Sequence, residues 1–372
     1  MHAENCTILQ GDALALLKTL PDEHVQCVVT SPPYWGLRDY GVAGQIGLEP
    51  TPAEYLARMV AVFEEVRRVL RSDGTAWVNM GDCYAAHIGS TGAQGKTGQR
   101  ANRRHTQKTL LNRATNLQRT NTASDFPVAL AARVPQQGLK PKDLVGMPWR
   151  LAFALQAAGW YLRSDIIWHK PNPMPESVTD RPTKSHEYLF LLSKSERYYY
   201  DAEAIQEKCS ESTHARLAQD VQNKIGSTRA HAGGKSNGNM KAVGRKPCPN
   251  PTPVPMYSYD KTTKPRVKNN PSFDAAMAIM PDSRNKRTVW TIPTQAFPEA
   301  HFATFPEALV EPCIQAGCPA GGLVLDPFSG AGTTGLVAVK LGRRYLGLEL
   351  NPAYVAMAER RIKNEVGLLL VG

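Results

Sequence analysis

The chain has 372 residues, enough to bury a full hydrophobic core, and its 42% hydrophobic and 21% charged residues argue against a wholly disordered or fibrous protein. No stretch approaches the ~20 consecutive apolar residues that a membrane-spanning helix needs, and the first residues lack the apolar segment of a secretory signal. Both observations predict a cytoplasmic protein without membrane attachment. The formal net charge is +11, which favours an anionic partner.

The positive charge is concentrated in two segments. Residues 89–121 carry seven basic and no acidic side chains, and residues 221–270 carry ten basic and one acidic side chain, so the rest of the chain is net acidic. Both segments are rich in small polar residues and lack apolar periodicity, which is typical of loops that order on a polyanion; a solvated insertion is the alternative. The cations that we predict to contact the anionic partner in these segments are Arg100, Arg103, Arg104, Lys108, Arg229, Lys241, Arg245 and Lys246.

Apolar patterns in the first half predict a strand, a helix and a second strand. Residues 25–30 form a short β-branched run that stops at two prolines. Residues 51–54 (Thr-Pro-Ala-Glu) form a capping box, so we expect a helix to begin there and to end at Ser-Asp-Gly, residues 72–74. Residues 75–80 then predict the next strand. This alternation indicates a mostly parallel α/β sheet.

Further elements follow the first basic segment and the second one. Between the segments the patterns predict a helix and two strands; after them they predict a strand, a short helix and a last strand. The predicted ranges are 148–158, 164–169 and 187–192, then 323–325, 336–341 and 345–348.

The seven cysteines are scattered, without a Cys-x-x-Cys pair or a Cys and His cluster at zinc-binding spacing. In a chain expected in the cytoplasm, this pattern predicts reduced thiols, mostly in the core. We expect no bound metal ion.

A glycine-rich turn follows the strand at 323–325. Gly330, Gly332 and Gly335 form G-x-G-x-x-G before a predicted helix, and Glu349 lies 19 residues beyond the first glycine at the end of the next predicted strand. This arrangement predicts an adenosine-containing cofactor, with an ordinary strand-to-helix turn as the alternative. Barely forty residues remain after the turn, and Asp326 suits a cationic ligand better than a pyrophosphate. Both features favour S-adenosylmethionine over NAD.

A second loop ends the strand at 25–30. Thr30 is followed by Ser31-Pro32-Pro33-Tyr34, in which the prolines stiffen the backbone and provide no N–H donor. The Ser31 hydroxyl and the Pro32 carbonyl could accept hydrogen bonds from an exocyclic amino group, and Tyr34 could stack on the base that carries it. Taken alone, the same string is also typical of a turn or a polyproline recognition segment.

Together, Thr-Ser-Pro-Pro-Tyr-Trp at 30–35 and Asp-Pro-Phe-Ser-Gly-Ala-Gly-Thr-Thr at 326–334 resemble the amino-group DNA methyltransferases, in the circularly permuted order of their β group. The resemblance covers the first two hundred and the last eighty residues. It implies a Rossmann-like α/β fold with a seven-stranded, mostly parallel sheet and an inserted DNA-recognition region. It also implies methyl transfer from S-adenosylmethionine to an amino group of a flipped base in double-stranded DNA, without a covalent enzyme intermediate.

The resemblance also assigns site residues. Ser31, Pro32, Pro33 and Tyr34 are the implied catalytic residues, and Ser-Pro-Pro-Tyr accompanies cytosine N4 more often than adenine N6 in this family, so adenine N6 is the alternative target. DNA is the anionic partner that the resemblance implies for the cations of the two basic segments. Lys170 and Asn172 resemble residues of a loop that follows a strand in this family, and they are also predicted to contact DNA. The implied cofactor-binding residues are Asp12, Thr30, His301, Ala303, Phe305, Asp326, Phe328, Ser329, Gly330, Gly332, Thr333, Thr334, Glu349 and Asn351.

The predicted organisation is a catalytic half at 1–88, a basic DNA-contacting insertion at 89–140, the rest of the catalytic half at 141–204, a target-recognition region at 205–290 and a cofactor-binding half at 291–372. A homodimer and a cognate restriction endonuclease are both compatible with this organisation. Two other functional classes stay open from the residues alone: a nucleotide-dependent oxidoreductase, and a non-catalytic nucleic-acid-binding protein on a methyltransferase fold.

Overall fold

A computed structural model of the protein describes residues 6–37, 39–85, 138–209, 283–295 and 305–371. The main element of these residues is an eight-stranded β-sheet. Its strands are β1 (Cys6–Gln10), β2 (Val25–Thr30), β3 (Leu70–Met80), β4 (Tyr161–His169), β5 (His186–Ser193), β8 (Val289–Thr291), β9 (Leu323–Asp326) and β10 (Arg344–Glu349), while β6 (Glu207–Lys208) and β7 (Ser283–Arg284) form a separate pair. The helices are α1 (Ala13–Leu17), α2 (Pro52–Val69), α3 (Met147–Ala157), α4 (Glu307–Gly317), α5 (Thr333–Lys340) and α6 (Pro352–Val371).

The strand order is β1-β10-β9-β2-β3-β5-β4-β8, and only β5 runs antiparallel to its neighbours. This is the predicted Rossmann-like, mostly parallel sheet. Strand β9, although late in the sequence, lies beside β2 near the centre of the sheet, as the permuted order requires. The count of eight corrects the expected seven. The additional strand, β8, has three residues with one buried side chain, too few to show a period in the sequence.

Helix α2 begins as predicted but ends earlier. The Thr51 side chain caps it by accepting a hydrogen bond from the Glu54 amide at 3.2 Å. The expected stop at 72–74 is wrong: the helix ends at Val69, and those residues lie within β3. Leu70 is fully buried, and the β2–β3 register moves from Val25 opposite Leu70 to Cys27 opposite Thr75, so the intervening β3 residues form an irregularity in the strand.

The core lies on both faces of the sheet. Helices α2 and α3 pack on one face, where their buried residues join Val28 of β2 in one apolar cluster. Helices α4 and α5 pack on the other face, with Cys27 and Val29. The alternation along β2 follows from the two-residue period of a strand buried on both sides.

The chain divides into two compact units, one formed by Met1–Ile205 with Lys286–Gly372 and the other by Gln206–Asn285. The large sheet belongs to the first unit. In the second unit the described residues form the β6–β7 pair, in which Arg284 Nε lies 3.0 Å from a Glu207 carboxylate oxygen. Within the described ranges, no helix is long and apolar enough to cross a membrane.

Candidate active site

A cavity of about 390 Å³ opens at the carboxyl ends of the parallel strands. Ligands of open α/β sheets bind at this edge, where the loops after several strands converge. The cavity brings together both predicted loops, although they are almost 300 residues apart in sequence. The predicted site residues that line it are Asp12, Ser31, Pro32, Pro33, Tyr34, Lys170, Phe305, Phe328, Ser329, Gly330, Thr333, Glu349 and Asn351.

Several predicted residues take other positions. Thr30, Asp326 and Thr334 do not line the cavity and lie almost fully buried behind the glycine turn, and Gly332, within the turn, is also buried and does not line it. Asn172 is described but does not line the cavity, and the remaining predicted residues lie outside the described residues. These are His301 and Ala303 for the cofactor, and Arg100, Arg103, Arg104, Lys108, Arg229, Lys241, Arg245 and Lys246 for DNA.

The glycine turn joins β9 to α5 through two left-handed residues. Gly330 has φ +52° and Gly332 has φ +75°, and only glycine adopts such angles without strain. A Cβ atom at Gly332 would also lie 2.7 Å from the Cβ of Ala358 on α6, whereas one at Gly330 would meet nothing closer than 3.9 Å. Gly332 therefore allows α6 to approach the turn, and Gly330 leaves backbone open to the cavity.

Two carboxylates line the cofactor side of the cavity. Glu349 Oε2 accepts a hydrogen bond from the Gly330 amide at 2.8 Å, and its Oε1 accepts one from the Asn351 amide at 2.8 Å. Burial raises the pKa of Glu349, while these amide bonds oppose the rise. Asp12 caps α1 by accepting from the Ala15 amide at 2.9 Å. Each carboxylate oxygen has more than one acceptor site, so both acids can still accept hydrogen bonds from ribose hydroxyls.

The cavity fits S-adenosylmethionine by the chemistry of its lining. Phe305 and Phe328 supply apolar surface for an adenine, Asp12 and Glu349 supply acceptors, and the bare backbone at Gly330 permits close approach. A volume of several hundred Å³ is the usual size of a cofactor site.

Asp326 was expected to face a cationic ligand, and the structure corrects this. Its carboxylate accepts hydrogen bonds from the hydroxyls of Thr30 at 2.6 Å and Thr334 at 2.8 Å, and from the Phe328 amide at 3.0 Å. Burial raises its pKa to about 6 against these bonds. Asp326 therefore joins the end of β2 to the first turn of α5, and so holds the two predicted loops in register.

The Ser-Pro-Pro-Tyr loop is held from outside the cavity. The Tyr55 hydroxyl donates to the Pro33 carbonyl at 2.9 Å, and the Trp35 indole N–H donates to the Glu49 carbonyl at 2.9 Å. Among the described residues, no donor is hydrogen-bonded to the Pro32 carbonyl. Ser31 and Pro32 both line the cavity, so this carbonyl and the Ser31 hydroxyl are candidate acceptors there.

Tyr34 does more than offer a ring for stacking. Its hydroxyl donates to Glu187 Oε2 at 2.8 Å and accepts from Asn79 Nδ2 at 2.9 Å, and the Ser31 hydroxyl donates to it across 3.4 Å. Burial together with the adjacent Glu187 carboxylate raises the pKa of Tyr34, so its proton stays in place.

Asn79 and Glu187 are site residues that the sequence did not single out as functional. The neighbouring antiparallel strands β3 and β5 bring them together, with Asn79 Nδ2 3.0 Å from Glu187 Oε2. The only signal in the sequence was one polar residue in each of two apolar patterns: Asn79 near the end of the first and Glu187 at the beginning of the second. Strand pairing that is remote in sequence cannot be derived from that signal.

The two predicted DNA contacts in the described residues have other partners. The Lys170 ammonium forms an ion pair with Glu187 and lies 4.2 Å from the Trp168 ring centre, and its side chain is only 18% exposed. Asn172 uses its carboxamide on the backbone of Thr294, accepting from the amide at 2.9 Å. Both side chains therefore have partners within the protein, and their contact with DNA stays a prediction.

Six cysteines fall within the described residues, and all are free thiols. Burial raises the pKa of Cys83 to about 12 and that of Cys6 to about 11, and none of the six lines the cavity. The described part of the chain contains no group of three or more His, Cys, Asp or Glu side chains that could hold a metal ion.

The fold and the site together define a Rossmann-like α/β protein in which a glycine turn suited to an adenosine-containing cofactor and the Ser-Pro-Pro-Tyr loop share one cavity. A family model described as DNA methylase matches residues 25–360. Type II methyltransferase M.Cfr9I of Citrobacter freundii is 42% identical over 366 residues, covering 98% of this chain and 90% of that protein. Type II methyltransferase M.SmaI of Serratia marcescens is 40% identical over 362 residues, covering 97% and 92%.

The solved structures agree on the fold. The PvuII DNA methyltransferase, described as cytosine-N4-specific, superposes with a TM-score of 0.51 at 18% identity, covering 99% of this chain and 93% of that chain. The match to the family model and the identity to the Type II relatives show that the chain belongs to the family of amino-group DNA methylases. It is an S-adenosylmethionine-dependent DNA methyltransferase.

Proposed function

We propose that this enzyme methylates the N4 amino group of a cytosine that is flipped out of double-stranded DNA. The observation that carries the proposal is the arrangement of Ser31 and Pro32 at the cavity. The Ser31 hydroxyl directs its proton to Tyr34, so its lone pairs face away from Tyr34, and the neighbouring Pro32 carbonyl has no donor among the described residues. Two acceptors are thus available for the two hydrogens of one amino group.

The exocyclic amine of a base is a poor nucleophile because its lone pair is delocalised into the ring. A base within the duplex also cannot reach the cavity, so it has to leave the stack. Accepting both amine hydrogens at Ser31 and Pro32 draws the nitrogen towards tetrahedral geometry and stabilises the positive charge that develops on it. When bound, S-adenosylmethionine would supply an electrophilic methyl group and leave as S-adenosylhomocysteine, and the methylated amine would release one of its two hydrogens to solvent as a proton. The buried, protonated cysteines have no part in this transfer.

Serine at position 31 supports cytosine as the target, because the family resemblance associates Ser-Pro-Pro-Tyr with N4 more often than with adenine N6. Adenine N6 is the alternative. The same two acceptors would serve either amine, so the mechanism is unchanged by the choice of base.

The remaining assignments complete the proposal. We assign cofactor contact to the lining residues on the Asp12 and Glu349 side, and a positioning role to the residues buried behind the turn. DNA contact is assigned to the basic insertion at 89–140 and to a target-recognition region at 205–290, between catalytic segments at 1–88 and 141–204 and a cofactor half at 291–372. By analogy with the Type II relatives, a cognate endonuclease is a candidate partner. Homodimerisation and a cytoplasmic location stay predictions.

Ser31→Ala tests the catalytic assignment. We expect methyl transfer to fall by on the order of 100-fold, because one of the two acceptors is lost, while S-adenosylhomocysteine still raises the melting temperature as in the wild type. NAD should raise the melting temperature of neither protein. A variant with full activity would remove Ser31 from the mechanism.

A further inference from the structure

A buried ion pair lies at the base-accepting end of the cavity. The side chains of Lys170 and Glu187 are 18% and 15% exposed, and the ammonium contacts Glu187 Oε1. Burying two charges carries a desolvation penalty that their attraction barely offsets, so such a pair is poor evidence of a stabilising role. Burial opposes the ionisation of Glu187, but Lys170, Tyr34 and Asn79 together hold its pKa below the ordinary value. A carboxylate is thus kept charged beside the Ser-Pro-Pro-Tyr loop.

The hydrogen-bond directions around this carboxylate are determined by its charge. An ionised carboxylate only accepts, so the single Tyr34 proton must be donated to Glu187 Oε2. Asn79 Nδ2 donates to the Tyr34 oxygen at 2.9 Å and to Glu187 Oε2 at 3.0 Å, which occupies a lone pair of the phenol. The Tyr34 oxygen can therefore only accept from Ser31.

The Ser31 hydroxyl is the last group in this series of hydrogen bonds, and its proton can rotate about the Cβ–Oγ bond. With its one proton directed to Tyr34, Ser31 can offer the cavity only lone pairs of its oxygen, one of which also faces Asn79 Nδ2 at 3.5 Å. The separation of 3.4 Å is long, as catalytic hydrogen bonds often are before substrate binds, and it can shorten when the base enters.

We propose that Glu187 is a positioning residue for methyl transfer: through the Tyr34 hydroxyl it holds the Ser31 hydroxyl as an acceptor for the target amino group. This inference rests on the proposed function. Lys170 keeps Glu187 charged, and Asn79 aligns Tyr34 with it. The direction of the Ser31 hydroxyl proton determines whether Ser31 attracts or repels the amine. Glu187 controls that direction through Tyr34.

Glu187→Gln should reverse the direction of the hydrogen bonds from residue 187 through Tyr34 to Ser31, with almost no change in side-chain shape. Lys170 retains the amide oxygen as its acceptor, which turns the new NH₂ group towards Tyr34 and towards Asn79, whose Nδ2 can no longer donate there. Tyr34 then accepts that hydrogen and donates its own to Ser31, and Ser31 points its proton at the amine. Tyr34→Phe instead removes the phenol that links Glu187 to Ser31. The Ser31 hydroxyl is then free to rotate and can still accept a hydrogen bond from the amine, so the loss of activity should be smaller.

The experiment measures kcat and KM for the wild type, Glu187→Gln, Tyr34→Phe and the double variant, with tritiated S-adenosylmethionine and DNA as substrates. Glu187→Gln should lower kcat by on the order of 10–100-fold with little change in the KM for S-adenosylmethionine. Tyr34→Phe should lower it less. In the Tyr34→Phe background, Glu187→Gln should have a much smaller further effect, because the carboxylate acts on Ser31 mainly through the phenol and otherwise only through Asn79 Nδ2, which lies 3.5 Å from Ser31 Oγ.

Glu176→Gln is the matched control. Glu176 also pairs with a cation, Arg181 at 2.7 Å, and accepts from a backbone amide, but it lies outside the cavity. Its variant should keep the wild-type kcat. Melting with and without S-adenosylhomocysteine checks that each variant is folded.

Two outcomes would overturn the inference: a Glu187→Gln enzyme with the wild-type kcat, or a loss of equal size with and without the Tyr34 hydroxyl, which would indicate a merely structural carboxylate. A wild-type protein that methylates no DNA would instead refute the proposed function.

Discussion

Asp326→Asn distinguishes a buried structural carboxyl from one that pairs with a cation. Asparagine has nearly the same shape as aspartate. Its oxygen can still accept from Thr30 and the Phe328 amide, and its NH₂ group meets the Thr334 hydroxyl, which can then donate to the Val29 carbonyl, 3.2 Å away. The substitution thus removes the ionisation of residue 326 and preserves most of its contacts.

The size of the effect follows from the pKa of Asp326, which burial raises from 3.8 to about 6. A carboxyl whose pKa is higher in the folded than in the unfolded protein binds its proton more tightly when folded, so stability rises as the pH falls from 7 through 6 towards 3.8. For these two pKa values, the wild type should gain about 1.3 kcal/mol relative to Asp326→Asn between pH 7 and pH 5. The variant lacks this gain.

Urea unfolding of both proteins at pH 5, 6 and 7 measures the difference, because the other titrating groups cancel between them. A difference that is independent of pH would contradict the buried position of Asp326. If the wild type instead lost stability relative to the variant on acidification, the carboxylate would have a cationic partner, as the sequence alone had suggested.

Two further predictions concern the glycine turn and the basic segments. Gly330→Ala should lower the free energy of unfolding by about 1 kcal/mol, because alanine is strained in the left-handed region. Gly332→Ala should lower it by about 2–4 kcal/mol, because the new Cβ would also lie 2.7 Å from the Cβ of Ala358. Equal losses in urea unfolding would show that α6 does not pack against Gly332 as described. Replacing both Arg245 and Lys246 with alanine should reduce the slope of log K for DNA against log salt concentration by about 2, since each neutralised phosphate contributes about 0.9; an unchanged slope in fluorescence anisotropy titrations would remove these residues from the DNA interface.

The sequence predicted those parts of the fold that depend on local patterns. Strand β2 begins and ends as predicted, and helix α2 begins at the predicted cap, because buried runs and capping residues are local signals. Helix α4 escaped prediction, since it has a proline in its interior and no side-chain cap. Strand β8 was too short to show a pattern.

The site was predictable to the same extent. Two contiguous motifs identified the cavity, because each is a loop at the end of a strand and parallel strands end at one edge of the sheet. The positions of Asp326 behind the turn and of Lys170 beside Glu187 depend on which strands are neighbours and in what register. Such pairings are not encoded in the spacing of residues along the chain.

The identity of the methylated nucleoside tests the central claim most directly. Purified protein is incubated with S-adenosylmethionine and unmethylated bacterial DNA, and the DNA is digested to nucleosides and analysed by mass spectrometry, with Ser31→Ala as the control. The proposed function predicts N4-methylcytosine from the wild type and on the order of 100-fold less from the variant. N6-methyladenine would contradict the choice of base, and no methylated nucleoside at all, from a protein that binds the cofactor, would contradict the proposed activity.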